Sequence, residues 1–168
     1  ITNKPPYKFL DYYSRSDSDI FYGRDLEILY CWRRVLSHPL VTIFGPSGAG
    51  KTSLFLAGVC PELEKEDYQV IVVRPLSNPL DSIKQAISAK FSIDFNDQTK
   101  LRDIIKTVTV RNKLVVALDQ FEEVFLSAGE QARLEFYKEL SEVIFNQSDY
   151  EFRFVIILRE DFLALLDE

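Results

Sequence analysis

Eight residues, Gly45 to Thr52, read GPSGAGKT and satisfy G-x-x-x-x-G-K-[S/T] at every fixed position. A loop that wraps a phosphate with its own N–H groups needs glycines, which accept unusual backbone angles and let the chain come close. Gly45, Gly48 and Gly50 are three of only six glycines in the chain. A helix opening directly after the loop aims its free amides and the positive end of its dipole at the same anion. Lys51 then reaches the β- and γ-phosphates as a point charge, and Thr52 offers its hydroxyl to Mg²⁺. Pro46, Ser47, Ala49 and Ser53 complete the candidate phosphate-contacting stretch. A plain glycine turn also joins strands to helices, but the full motif with an apolar β-branched run before it sets that reading aside.

Such a loop needs a carboxylate delivered from a second strand. The run "VVALD" ends in Asp119, placed to hold Mg²⁺ through a bound water. The residues after it, "QFEE", leave the water-handling group open. Glu122 or Glu123 can act as a base if it lies within reach of the attacking water. Gln120 can position that water by hydrogen bonding. Equally, the glutamates can be solvated acids at a helix N-terminus, where negative charge is favoured. Arg159 ends a later apolar run, "FRFVIILR". At the C-terminal edge of a parallel sheet it can sense a γ-phosphate; the plainer reading is a surface arginine paired with Glu160 or Asp161. Guanine is commonly read by Asn-Lys-x-Asp. "NKLV" (112–115) lacks the Asp and precedes a strand, which favours ATP.

The elements that must position these groups are legible as alternating strands and helices. Helix is expected from about Asp25 to Leu36, strand over "PLVTIF" (39–44), and helix over 51–59 ending near Gly58, with Pro61 beyond. A second strand spans 68–74 and is stopped by Pro75. Leu80, Ile83 and Ile87 recur at helical spacing, as do Leu101, Ile104, Ile105 and Val108 after a candidate N-cap at Asp97. The third strand covers 113–119, a helix carries Leu134, Tyr137, Leu140 and Ile144, the fourth strand covers 152–159, and a helix follows. The strands are continuous apolar runs, as in a parallel sheet buried by helices on both faces. Residues 1–20, with Pro5-Pro6 and "SRSDSD", read as an extended lead-in and a turn, leaving 21–168 as the domain.

The 168 residues suit one domain, and 46 % hydrophobic content supports a core. A net charge of −6 argues against sequence-independent nucleic-acid binding. No apolar run is long enough to span a bilayer and no signal peptide is visible. Cys31 and Cys60 lack metal spacing and are expected reduced in or near the core, which fits a cytoplasmic protein. His38 precedes Pro39 in a loop with no catalytic company. The chain has no methionine and stops inside the amphipathic "LREDFLALLDE", so it reads as a piece of a longer protein.

Taken together, "FYGRDLE" (21–27), "GPSGAGKT" (45–52), "LVVALDQFEEVF" (114–125) and "VIILREDF" (155–162) resemble the STAND class of signal-transduction ATPases, related to AAA+ ATPases. The D-Q-F-E-E pattern is that of the novel STAND group, and the likeness runs from about Pro6 to Phe162. The resemblance implies a three-layer α/β P-loop NTPase sandwich with strand order 5-1-4-3-2, the fifth strand missing here. It implies that Gly23 and Arg24 pack near the nucleotide, beside adenine. It further implies an ATP/ADP switch, joined to effector and sensor domains, that forms a homo-oligomer on sensing a trigger, in some bacterial members for antiphage defence. Gln120, where related sites carry an acid, puts fast hydrolysis in doubt.

Three functions are compatible with this reading. The first is a slowly hydrolysing, Mg²⁺-dependent ATP switch. The second is a fast-turnover ATPase or small-molecule kinase, although the second half lacks an arginine cluster suited to a closing lid. The third is a non-catalytic scaffold stabilised by bound nucleotide.

Overall fold

Leu40–Gly45 (β1), Tyr68–Val73 (β2), Lys113–Leu118 (β3) and Phe152–Arg159 (β4) form one parallel sheet in the order β1-β4-β3-β2. The computed structural model describes residues 11–96, 98–145 and 151–166. This is the α/β sandwich expected from the sequence, with the strands in the expected 1-4-3-2 order. A fifth strand is not among the described residues.

Strand parity explains why the apolar runs are continuous. Leu114, Val116 and Leu118 of β3 face one core, together with Phe152, Phe154, Ile156 and Leu158 of β4. Val115 and Ala117, with Val155 and Ile157, face a second core. Successive side chains point to opposite faces, so a strand covered on both sides can afford no polar position. The first core is closed by helices α4 (Pro79–Phe91), α5 (Leu101–Thr109), α6 (Glu122–Ser127) and α7 (Glu130–Phe145). The second is closed by α1 (Asp25–Ser37) and by the helix that follows the phosphate loop. Cys31 and Cys60 are free and buried in that second core. Burial pushes their thiols up to about 11 and about 12, which leaves them protonated and inert.

Three local expectations are corrected. The helix after the loop does not stop near Gly58. It begins as α2 (Lys51–Ser53), passes through a π-helical segment (Leu54–Val59), and continues as α3 (Cys60–Lys65), with Pro61 tolerated in the first turn of α3. Gly58 is there for close packing: a Cβ on it would lie 2.6 Å from Ile28 Cγ1 of α1. Helix α5 starts at Leu101, with Lys100 rather than Asp97 as its N-cap residue; Asp97 lies outside the described residues. The Leu101 N–H is instead satisfied by Glu139 Oε2 of α7 at 2.6 Å.

The third correction concerns the lead-in. Residues Arg15–Ile20 form a 3₁₀ helix where a turn after an extended lead-in is expected. The segment is bound to the loop helix and sheet: the Tyr13 N–H donates to Ser53 Oγ, and Arg15 donates to Glu64 Oε1 and to the Val70 carbonyl. Residues 1–10 lie outside the described residues. After β4 the chain continues as a 3₁₀ helix, Glu160–Leu166.

Candidate nucleotide site

The loop between β1 and α2 closes on itself. Gly50, with φ +77°, caps α2 in the left-handed region, and a Cβ there would also press on Arg24 Nη1 at 3.3 Å. Lys51 Nζ donates to the carbonyls of Gly45 and Pro46, each at 2.9 Å, and so arches over the loop that precedes it. Arg24 braces the loop from outside by donating to the Ala49 carbonyl at 2.8 Å. It also contacts Glu27 at 3.3 Å. The Gly-Arg element thus meets the loop's backbone through Arg24.

A cleft of about 450 Å³ opens above the strand ends. Ser47, Gly48, Gly50, Lys51 and Thr52 line it from the loop side; Asp119, Gln120, Glu122 and Arg159 line it from the sheet. Of the remaining candidates, Gly23, Arg24, Gly45, Pro46, Ala49 and Ser53 do not line it. Ser53 is buried, its hydroxyl taken by the Tyr13 N–H. A larger concavity of about 930 Å³ runs along β1 and α1, but its lining is mostly apolar and holds none of the candidate phosphate or metal groups. The chemistry therefore belongs to the smaller cleft.

Thr52 Oγ1 donates to Asp119 Oδ1 at 2.8 Å, joining the first helical turn after the loop to the end of β3. This geometry fits a divalent cation. A threonine that offers its lone pairs to a metal must send its proton elsewhere, and Asp119 accepts it. Asp119 is 3 % exposed. Burial pushes its carboxyl above the usual carboxylate value, opposed by the Thr52 hydrogen bond and by the charge of Arg74. A buried carboxylate in that condition gains from a bound cation. Among the described residues no cluster of three or more His, Cys, Asp or Glu forms a metal cage. A small hard cation would thus complete its shell with phosphate oxygens and water.

The structure separates the three water-handling candidates. Glu122 is buried at the start of α6, lines the cleft, and accepts the Arg159 backbone N–H at 3.3 Å. Gln120 lines the cleft with φ +58°, a left-handed conformation uncommon for a side-chain-bearing residue. Glu123 is exposed and does not line it. Arg159 does line the cleft, but its guanidinium grips Asp161 at 3.1 and 2.5 Å and lies over the Phe162 ring. Those hydrogen bonds hold Asp161 below the usual carboxylate range.

Sequence reasoning missed Asp11, Tyr12 and Arg74, which also line the cleft. Tyr12 and Asp11 carry no motif signal; the bonds of Tyr13 to Ser53 and of Arg15 to Glu64 and Val70 reveal where that segment lies. Arg74 looked like the tail of a strand before a proline; the register of β2 against β3 is what brings it to the cleft.

A parallel α/β sheet with a glycine-rich phosphate loop between β1 and a helix, and a carboxylate at the end of β3 bonded to the loop's threonine, defines a nucleotide-binding P-loop NTPase domain. The chain matches the Novel STAND NTPase 1 family over residues 6–168 and belongs to that family. No curated protein gives a significant match. Among solved structures it is similar to the Aeropyrum pernix ORC2 protein in ADPNP–ADP complexes (21 % identity, TM-score 0.61, 83 % of this chain and 42 % of that one). It is also similar to the Walker-type ATPase PABY2304 of Pyrococcus abyssi (15 % identity, TM-score 0.62, 92 % and 49 %). At these identities the likeness establishes the fold, and the chain spans less than half the length of either structure.

Proposed function

We propose that this domain is an ATP switch of low turnover. It binds ATP with Mg²⁺, holds it longer than it hydrolyses it, and works within a longer cytoplasmic signalling chain. The observation that carries this reading is the Thr52–Asp119 hydrogen bond, which ties the phosphate loop to the β3 carboxylate. Thr52 and Asp119 hold the cation, Asp119 through water. The loop amides and Lys51 hold the β- and γ-phosphates, and Gly23 and Arg24 border the base. Glu122 is the leading group for orienting water.

The switching element is Arg159. Its guanidinium is shared out to Asp161, an exposed pair worth little in water, so a γ-phosphate can compete for it. A ligand shifts a two-state protein only by its differential affinity, and an arginine that meets only the γ-phosphate supplies such a difference. Trigger sensing would then couple to homo-oligomerisation and effector activation, with antiphage defence as one setting.

The test is ATP turnover of the full-length protein with Mg²⁺, beside Lys51→Ala. A rate far below ~10 s⁻¹ that vanishes in the variant supports the switch; a rate near or above it makes the domain a working ATPase. Arg159→Ala should weaken ATP binding and leave ADP binding nearly unchanged. Equal losses would remove Arg159 from the sensor role.

A further inference from the structure

The cleft has a cation that neither the motif nor the switch reading uses. Val73, the last residue of β2, pairs with Leu118 of β3, and the Asp119 N–H donates to the Val73 carbonyl at 2.9 Å. Arg74 therefore leaves the sheet level with Asp119, on the neighbouring strand. Val73, Leu118 and Leu158 all face the same core, on the side away from the loop helix. By alternation, the residues after them, Arg74, Asp119 and Arg159, emerge on the phosphate-loop side. Across the three strand ends this makes a row of plus, minus, plus with the cleft above it.

Arg74 is held for use. Pro75 follows it and is buried, and a residue before proline is confined to extended backbone. Its side chain is exposed, lines the cleft, and makes no ion pair among the described residues. The other two cations are engaged, Lys51 on loop carbonyls and Arg159 on Asp161. Asp11, Asp119 and Glu122 also face the cleft, so a triphosphate entering it meets three acids, and a cation with no ion pair to give up offsets them at no cost.

We propose that Arg74 is a binding residue for the terminal phosphate of a nucleoside triphosphate, reaching it from the β2 side while Lys51 reaches it from the loop. This rests on the ATP reading above. The planar guanidinium suits two phosphate oxygens at once. Its place beside Asp119 sets it at the metal end of the triphosphate, away from the base.

The experiment measures binding of Mg²⁺–ADP and of the Mg²⁺ complex of the β,γ-imido analogue of ATP to the full-length protein, for wild type, Arg74→Ala and Arg74→Lys. A charge-assisted hydrogen bond of ~1.5–3 kcal/mol corresponds to about 10- to 150-fold in affinity. Arg74→Ala should lose that much for the triphosphate analogue and less than about 2-fold for ADP. Arg74→Lys, which keeps the charge and loses the fork, should recover part of the loss. Unchanged thermal unfolding of both variants in the absence of nucleotide separates this from a folding defect. Equal losses for the two nucleotides, or none, overturn the assignment of Arg74 while leaving the ATP reading intact. Wild-type protein that binds neither nucleotide overturns both.

Discussion

Gly45, which opens the phosphate loop, and Arg159, which closes β4, stand directly opposite each other in the sheet register. The entry to the loop and the candidate sensor are thus fixed to one another by a backbone ladder. Glu122 joins them by accepting the Arg159 N–H. The Arg159 backbone is thus anchored, so moving its side chain off Asp161 requires no movement of the sheet.

The buried carboxylate gives a pH-dependent prediction. Asp119 has a folded-state value raised by burial. Stability from its protonated form is present in full below the unfolded-state value and is lost as pH rises through the raised folded-state value. Near neutrality its charge is a cost. Asp119→Asn should therefore raise the Tm at pH 7 without nucleotide or metal, on the order of a few degrees, and the gain should shrink in acid. Mg²⁺ with ATP should stabilise the wild type but not the variant. Thermal scans from pH 3 to 8 check both, and a variant that melts lower at pH 7 would contradict the argument.

Turnover should distinguish neighbouring acids. Glu122→Gln should reduce ATP hydrolysis by about 10-fold or more, given the 10²–10⁴ range for a general base and the low turnover proposed above. Glu123→Gln, altering an exposed side chain outside the cleft, should stay within about 2-fold of wild type. Comparable losses in both variants would point to a general electrostatic effect of the acidic turn.

Packing predicts a third result. Gly58→Ala puts a methyl group 2.6 Å from Ile28 Cγ1 and 2.7 Å from Cδ1, so the contact between α1 and the loop helix must open. The expected cost is ~1–3 kcal/mol. Adding Ile28→Ala removes the clashing atoms, and the double variant should lose less than the sum of the two single losses. Chemical denaturation of all three variants measures this.

The remote cap predicts a fourth. Glu139→Ala leaves the Leu101 N–H at the start of α5 without its partner on α7. A loss of ~1–2 kcal/mol is expected, with faster amide exchange in the first turn of α5.

The strands and the loop were legible because their signals are local. A run such as "VVALD" carries its burial in its own composition, and GPSGAGKT carries its chemistry in its own spacing. The misread features depend on distant partners. Gly58 resembles a helix stop until Ile28 is seen against it. Asp97 is the natural cap for α5 when a cap is sought nearby, whereas the acceptor comes from 38 residues away. Arg74 reaches the cleft through the pairing of Val73 with Leu118. The contact of Arg159 with Asp161 was foreseeable as the plainer alternative, and the structure shows both its cleft position and that pairing.

Strand β1 pairs with β4 on one side, and among the described residues no strand pairs with its other side. Along such a strand the amides alternate, one directed into the ladder and the next away from it. The strand that leads into Gly45 thus carries two interleaved exchange clocks, one slowed by the sheet and one running at the pace of its surroundings. A segment docking along that edge would slow the second and spare the first, so deuterium uptake residue by residue from Leu40 to Phe44 would report whether the phosphate loop's own strand is covered.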